Sequence, residues 1–160
     1  MAIGATVYYD DVGVGDDIPI LDKGKLTTLH LMRWSSAIEN WHRIHYDLPF
    51  TLEHEKLPGL MINGSLKQQF VMQALQDWVG AGGWVWKANF QFRAMNVVGE
   101  SIHVWGKVTA RRDGPGYGLV DLDIGVLNES AKESTPGTAT VALPYRGGKP
   151  VPYPFVPPQD

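Results

Sequence analysis

"SLKQQFVMQALQDWVG" (residues 65–80) decides how the rest of the chain must fold. Leu66, Phe70, Ala74 and Trp78 recur at four-residue spacing, and Val71, Leu75 and Val79 widen the stripe. Lys67, Gln68, Gln76 and Asp77 are read as the polar side of the same helix. An apolar stripe this wide on 16 residues predicts a helix lying against a sheet. Asn63 or Ser65 can cap its start, and Gly80 stands where a helix-ending glycine belongs.

Downstream of "GAGG" the pattern changes. "WVWKANFQFRAM", "SIHVWGKVTARR", "GYGLVDLDIGVL" and "GTATVALP" are strand-like runs separated by Gly, Pro, Asn and Asp. Ala88, Phe90 and Phe92 alternate with Asn89, Gln91 and Arg93, the signature of an antiparallel sheet covered on one face. Upstream, residues 7–21 read as a loose entry segment. "KLTTLHL" (25–31) carries a weak strand signal, and "MRWSSAIENW" (32–41) reads as a short helix presenting Trp34, Ala37, Ile38 and Trp41. The tail from about residue 146 to 160 is proline-dense and is expected to be extended, packing on the body or on a partner. There is no internal repeat. The sum is an α+β fold, an antiparallel sheet wrapped around a long central helix, whose open edge is suited to pairing with a second subunit.

At 160 residues the chain is read as one domain, 1–160. Its 44% hydrophobic residues and 19% charged residues describe a globular protein, and a net charge of −3 gives no general attraction to nucleic acid or anionic lipid. The absence of cysteine excludes disulfides, thiolate metal sites and a cysteine nucleophile. "MAIGATVYYDD" has neither the basic start nor the apolar stretch of a signal peptide, and no run approaches a membrane span. The expected location is the cytoplasm.

Chemistry concentrates in "ENWHRIHYD" (39–47). His30, His54 and His103 stand alone among strand-like or charged residues, and no role is assigned to them. His42 and His45 share a short segment with Asn40, Arg43 and Asp47. Two imidazoles and the Asp47 carboxylate form the donor set of a non-haem iron site, but no distant third ligand presents itself, so no metal is expected. Ser35, Ser36 and Ser65 lack a nucleophile elbow, and "GAGG" follows a helix where dinucleotide binding requires a strand. General acid–base chemistry asks less: one histidine of near-neutral pKa to move a proton, with a neighbouring amide or carboxylate to orient the water. Gly64 supplies the complement. At the start of the long helix its backbone can be approached closely, and unpaired N–H groups there favour a carbonyl oxygen gaining negative charge.

These residues resemble the MaoC-like acyl dehydratases and (R)-specific enoyl-CoA hydratases, which have the hot-dog fold. The likeness runs through "VGVGDDIP", the H-x-D of "HRIHYD", "NGSL" opening the central helix, and "FQFRAMNVVGESIHVWGKV". It implies reversible syn addition of water to an α,β-unsaturated acyl thioester, of coenzyme A or acyl carrier protein, without a cofactor. His45 matches the family's histidine and Gly64 the glycine whose N–H holds the thioester carbonyl. Asn40 stands where the catalytic Asp is expected, and Asn63 where a His usually precedes the glycine. A branch related to mesaconyl-CoA hydratases carries a similar "HRIHYD". The Asn40 exchange leaves a water-positioning amide and makes His45 the sole proton carrier, oriented by Asp47.

Arg43 either pairs with Asp47 or binds a substrate carboxylate. Arg93 and Lys87 lead the candidates for coenzyme A phosphates, ahead of Lys107, Arg111 and Arg112. Trp34, Trp41, Trp84 and Trp86 either line a bulky pocket or are core. A homodimer or higher oligomer is expected, or assembly with a sister hot-dog chain. Two other readings stand beside the hydratase: a non-catalytic subunit of a paired hydratase, and an acyl-CoA thioesterase.

Overall fold

The computed structural model of the chain describes residues 6–158, so the first five residues of "MAIGATVYYDD" and the last two of the tail lie outside the described residues. Five strands form one sheet: β1 (Leu21–Lys25), β2 (Trp84–Phe90), β3 (Ser101–Asp113), β4 (Tyr117–Asn128) and β5 (Gly137–Pro144). The order across it is β1-β3-β4-β5-β2, and each neighbouring pair is antiparallel. The helix α2 (Gly64–Val79) lies against its concave face, the hot-dog arrangement.

Leu66, Phe70, Val71, Ala74, Leu75 and Val79 of α2 meet Ile102, Val104 and Val108 of β3, Val120 to Val126 at alternate positions of β4, and Val141 and Leu143 of β5. Each Leu, Ile or Val wholly removed from water here contributes roughly 1.5–3 kcal/mol. Lys67, assigned to the polar side by helical spacing, is instead buried with this stripe at 2% exposure. Gly80 ends the helix at φ 64°, a backbone conformation in which glycine has no Cβ penalty.

The face of the sheet away from α2 is also partly covered. Tyr117 and Leu119 of β4 are buried there beneath Phe155 and Val151 of the tail, with Trp86 alongside. Phe155 also stacks on Trp84, and Tyr117 donates its hydroxyl hydrogen to the carbonyl of Val156 at 2.7 Å. The tail has neither helix nor strand and packs on the body. Trp84 and Trp86 belong to this outer layer. Among the described residues no helix is long and apolar enough to cross a membrane.

The segment between entry and α2 departs from the sequence reading. The strand ends at Lys25, and a helix, α1 (Thr28–Ala37), begins where the strand signal of residues 25–31 still continued. Local capping outweighs the β-branched content: the Thr27 N–H donates to His30 Nδ1 at 3.0 Å, closing the first turn. His30, given no role by sequence, is therefore part of the cap. The helix buries Leu31 and Ser35 and stops before Trp41, because Glu39 takes φ 53°. Trp41 ends up 57% exposed. The expected alternation at 88–93 also stops at Phe90. Beyond it the chain folds against residues 134–136 through Gln91, Arg93 and Ala94 N–H bonds to Pro136 and Ser134 carbonyls.

Candidate active site

After α1 the chain turns on its own side chains. The Asn40 N–H returns to the Ser35 carbonyl at 2.9 Å, and Asn40 Oδ1 accepts the His42 N–H at 3.2 Å. This is a turn in which Asn supplies the local bond a helix would otherwise provide. It delivers a single 3-10 turn, Arg43–His45, pinned from below by the Met61 N–H bonded to the Ile44 carbonyl at 2.9 Å.

His45 is buried at 8% exposure, with Nδ1 2.8 Å from the Met61 carbonyl oxygen. A carbonyl can only accept, so in the neutral ring Nδ1 carries the hydrogen and Nε2 keeps the lone pair. Burial pushes the imidazole below its ordinary pKa; the Met61 bond opposes this and the neighbouring His42, ring centroid 6.1 Å away, reinforces it. The ring is thus held neutral and basic at Nε2.

This has a consequence for stability. Below its ordinary pKa of about 6.5 the unfolded histidine takes up a proton that the folded one resists. The contribution is therefore complete above pH 6.5 and is lost as pH falls from there toward the lowered folded value. The Tm advantage of wild type over His45→Gln should shrink between pH 7.5 and 5.5; a constant difference would contradict the burial argument.

Asp47 does not orient His45. Its Oδ2 accepts from Arg43 Nε at 3.0 Å and Nη2 at 2.7 Å, and its Oδ1 accepts the Phe50 N–H at 3.1 Å, starting the next turn, Phe50–His54. The Arg43 bond first, and the Phe50 bond second, hold its carboxyl below the ordinary value. Arg43 also lies over the Phe50 ring, 4.1 Å from its centroid, so of its two expected uses the structure displays the pair with Asp47. The expected orienting carboxylate is replaced by the Met61 carbonyl. His42 is exposed. Among the described residues no three His, Asp or Glu side chains gather as metal ligands.

Met61 precedes Gly64 by three residues, so the residue that anchors the ring lies within about 11 Å of the start of α2. There the Leu66 and Lys67 N–H groups bond the Asn63 carbonyl, while those of Gly64 and Ser65 meet no acceptor among the described residues. Asn63 holds the cap position, but its side chain does not cap. It is 1% exposed and turned toward Ser35, with Nδ2 3.4 Å from the hydroxyl and Oδ1 buried without a partner among the described residues. Ser65 Oγ instead accepts from Trp34 Nε1 at 2.9 Å.

Two residues given no individual role by sequence also meet here. Phe92 lies across the helix start, its ring carbons 3.2–3.3 Å from where a Cβ on Gly64 would stand. Lys67 reaches the same ring from one turn further along, 5.7 Å from its centroid. The phosphate candidates fare unequally. Arg93 follows Phe92 directly in the chain and is exposed, whereas Lys87 stands over the Trp86 ring, 3.9 Å from its centroid, on β2. The helix lies on the other face of that sheet, so the structure does not bring Lys87 to the helix start. A cavity of about 560 Å³ opens between α1, β1 and α2; Trp34, Leu66 and Phe70 line it, and Lys23, His30 and Arg33 add positive or titratable groups.

Residues 16–100 match the family described as hydroxyacyl-thioester dehydratase type 2 (Htd2). No curated protein matches the chain. Among solved structures, the (R)-hydratase from A. caviae involved in PHA biosynthesis is similar at 21% identity and TM-score 0.71, over 83% of this chain and 98% of that one. The R-hydratase PhaJ1 from Pseudomonas aeruginosa gives 17% and 0.75, over 97% and 96%. The ChsH1–ChsH2 complex from Mycobacterium tuberculosis gives 15% and 0.70, over 82% and 98%. At such identities these three likenesses are of fold. The family match itself runs from the end of the entry segment through the histidine turn and all of α2, more than half of the sequence, and the chain belongs to the hydroxyacyl-thioester dehydratase type 2 family.

Proposed function

We propose that the chain adds water to α,β-unsaturated acyl thioesters and, in reverse, removes it from 3-hydroxyacyl thioesters. The observation that carries this is His45: a buried imidazole with its tautomer set by the main-chain carbonyl of Met61, three residues before a helix start whose first N–H groups meet no acceptor among the described residues. In hydration Nε2 takes a proton from water as the water oxygen bonds to the β-carbon. The double-bond electrons shift toward the thioester, and its oxygen becomes an enolate oxygen held by the Gly64 N–H and the positive end of the α2 dipole. The imidazolium then returns its proton to the α-carbon on the same face, giving syn addition and a neutral ring.

Asn40 orients the water in this scheme. Its Oδ1 already serves the His42 N–H but retains a second lone pair, and its NH2 meets no acceptor among the described residues. An aspartate can accept the same N–H bond and also accept a proton. Asn40→Asp should therefore raise kcat at least about tenfold in initial-rate assays, given the usual worth of a second acid–base group. An unchanged or lower kcat would remove position 40 from the chemistry.

The thioester's acyl part is proposed to enter the cavity lined by Trp34, Leu66 and Phe70, with Arg33 of the same lining meeting a coenzyme A phosphate. The test is a panel of enoyl-CoA and 3-hydroxyacyl-CoA substrates of different length, followed by the absorbance of the conjugated thioester, with free thiol measured in parallel. Loss of conjugation without thiol release supports hydration; thiol release alone supports the thioesterase.

One observation favours a second reading, a non-catalytic subunit paired with a sister hot-dog chain. Leu29, Met32, Ile38, Trp41, Tyr46, Leu48 and Leu52 are all exposed on α1 and the segment after it, apolar side chains of the kind a partner chain covers. Turnover absent from the purified chain but restored by such a sister would select it.

A further inference from the structure

Lys67 sits one turn into α2, and its Nζ donates to the Ala94 carbonyl at 3.0 Å, Asn96 Oδ1 at 3.0 Å and Ser134 Oγ at 3.4 Å. All three ammonium hydrogens are thus used, and all three acceptors are uncharged. The carboxylate of Glu100 is reached only through Asn96, whose Nδ2 donates to Glu100 Oε2 at 2.8 Å while Asn128 Nδ2 donates to the same oxygen at 3.1 Å. The charge is therefore buried without a direct ion pair. It also stands near the helix end whose dipole disfavours cations, where a methionine would fill similar space with neither penalty.

Two things lie within its reach. One is the Phe92 ring, which touches the space over Gly64. The Phe92 geometry places Nζ within about 12 Å of the Gly64 backbone, and because Lys67 itself is buried its charge is felt there more strongly than through bulk water. The other is the loop that backs the histidine anchor. Asn96, gripped by Lys67, accepts the Ile62 N–H on its carbonyl at 2.8 Å; Val97 pairs with Met61; and the Val98 N–H bonds the Leu60 carbonyl at 2.9 Å.

We propose that Lys67 is a positioning residue for the dehydratase site: its buried charge deepens the positive potential at the Gly64 N–H, and its three hydrogen bonds hold the loop that keeps the Met61 carbonyl on His45. This rests on the hydratase reading and assigns a residue to that same site. The element contacts also define its titration. Burial lowers the Lys67 amine to about 8, with Glu100 opposing. The charged groups on the neighbouring segments are Arg93 and Glu100 on one side and Glu129, Lys132 and Glu133 on the other, while α2 carries no other charge before Asp77.

The experiment is the pH profile of kcat and KM for wild type, Lys67→Met and Lys67→Arg on one enoyl-CoA substrate. Wild-type kcat should fall above about pH 8 with KM steady. Lys67→Met should be about tenfold slower at pH 7 and flat from pH 7 to 9. Lys67→Arg, charged throughout, should stay within about threefold of wild type at pH 7 and show no fall by pH 9. A wild-type kcat flat to pH 9 overturns the proposal even if neither variant folds, and so does a Lys67→Met profile that keeps the wild-type rate and limb. Wild type inactive on every enoyl-CoA would sink the hydratase reading itself, which is a different result from an active enzyme indifferent to position 67.

Discussion

Replacing His45 with alanine should lower kcat for enoyl-thioester hydration by about 10³-fold, within the 10²–10⁴ that a general acid–base group contributes, while leaving KM within a few-fold. The size follows from His45 being the only proton carrier in the scheme: Asp47 is committed to Arg43 and Phe50, and position 40 is an amide. His45→Gln separates chemistry from packing. Its amide can donate to the Met61 carbonyl as Nδ1 does, so the fold should survive, yet it cannot accept a proton near neutral pH. Stopped assays on both variants check the claim. A His45→Gln enzyme with near wild-type kcat would take the proton-transfer role away from this ring. Near-complete unfolding of both variants, seen by circular dichroism, would show the ring to be mainly structural.

The second large effect is expected at Gly64. An alanine there meets no backbone penalty, since α2 has already begun, and the chain entropy it removes from the unfolded state favours folding by about 0.4–1 kcal/mol. Its methyl would press on Phe92, but that ring is half-exposed and can move aside. Stability should therefore change little, while kcat/KM falls by 10²-fold or more, because the methyl stands where the thioester carbonyl must approach the N–H. Gly64→Ala combined with Phe92→Ala separates the two causes. If the methyl blocks substrate, the double variant stays slow; recovery of rate would mean that the glycine serves only to seat the phenylalanine. A fully active Gly64→Ala would end the oxyanion assignment.

The parts legible from sequence were those governed by long periodicity. The helix at 65–80 and the strands near 101–112, 116–127 and 137–144 are found within a residue or two of their expected bounds, because each has a dozen or so positions, or a strict alternation, reporting one buried face. The strand expected at 25–31 failed because one local bond between Thr27 and His30 outweighed weak β propensity. Lys67 was misplaced because helical spacing assigns a side but not what covers it, and here residues 94–96 and Ser134, distant in sequence, roof it over. Within the proposed site, His45 and Gly64 stand out in the sequence by residue type and by position relative to the helix. Phe92 falls in a stretch that carries the family likeness, but alternation made it only one more beat of a strand that in fact ends at Phe90.

The bond that sets His45 comes from an atom every amino acid possesses. The side chain at position 61 can therefore be exchanged over generations without disturbing the imidazole's orientation, so long as residues 60–62 stay laced between Ile44 and the loop at 96–98. A comparison of side chains would never register this dependence. Insertions or deletions in those segments, by contrast, would scramble the ring's protonation pattern while leaving His45 itself in place.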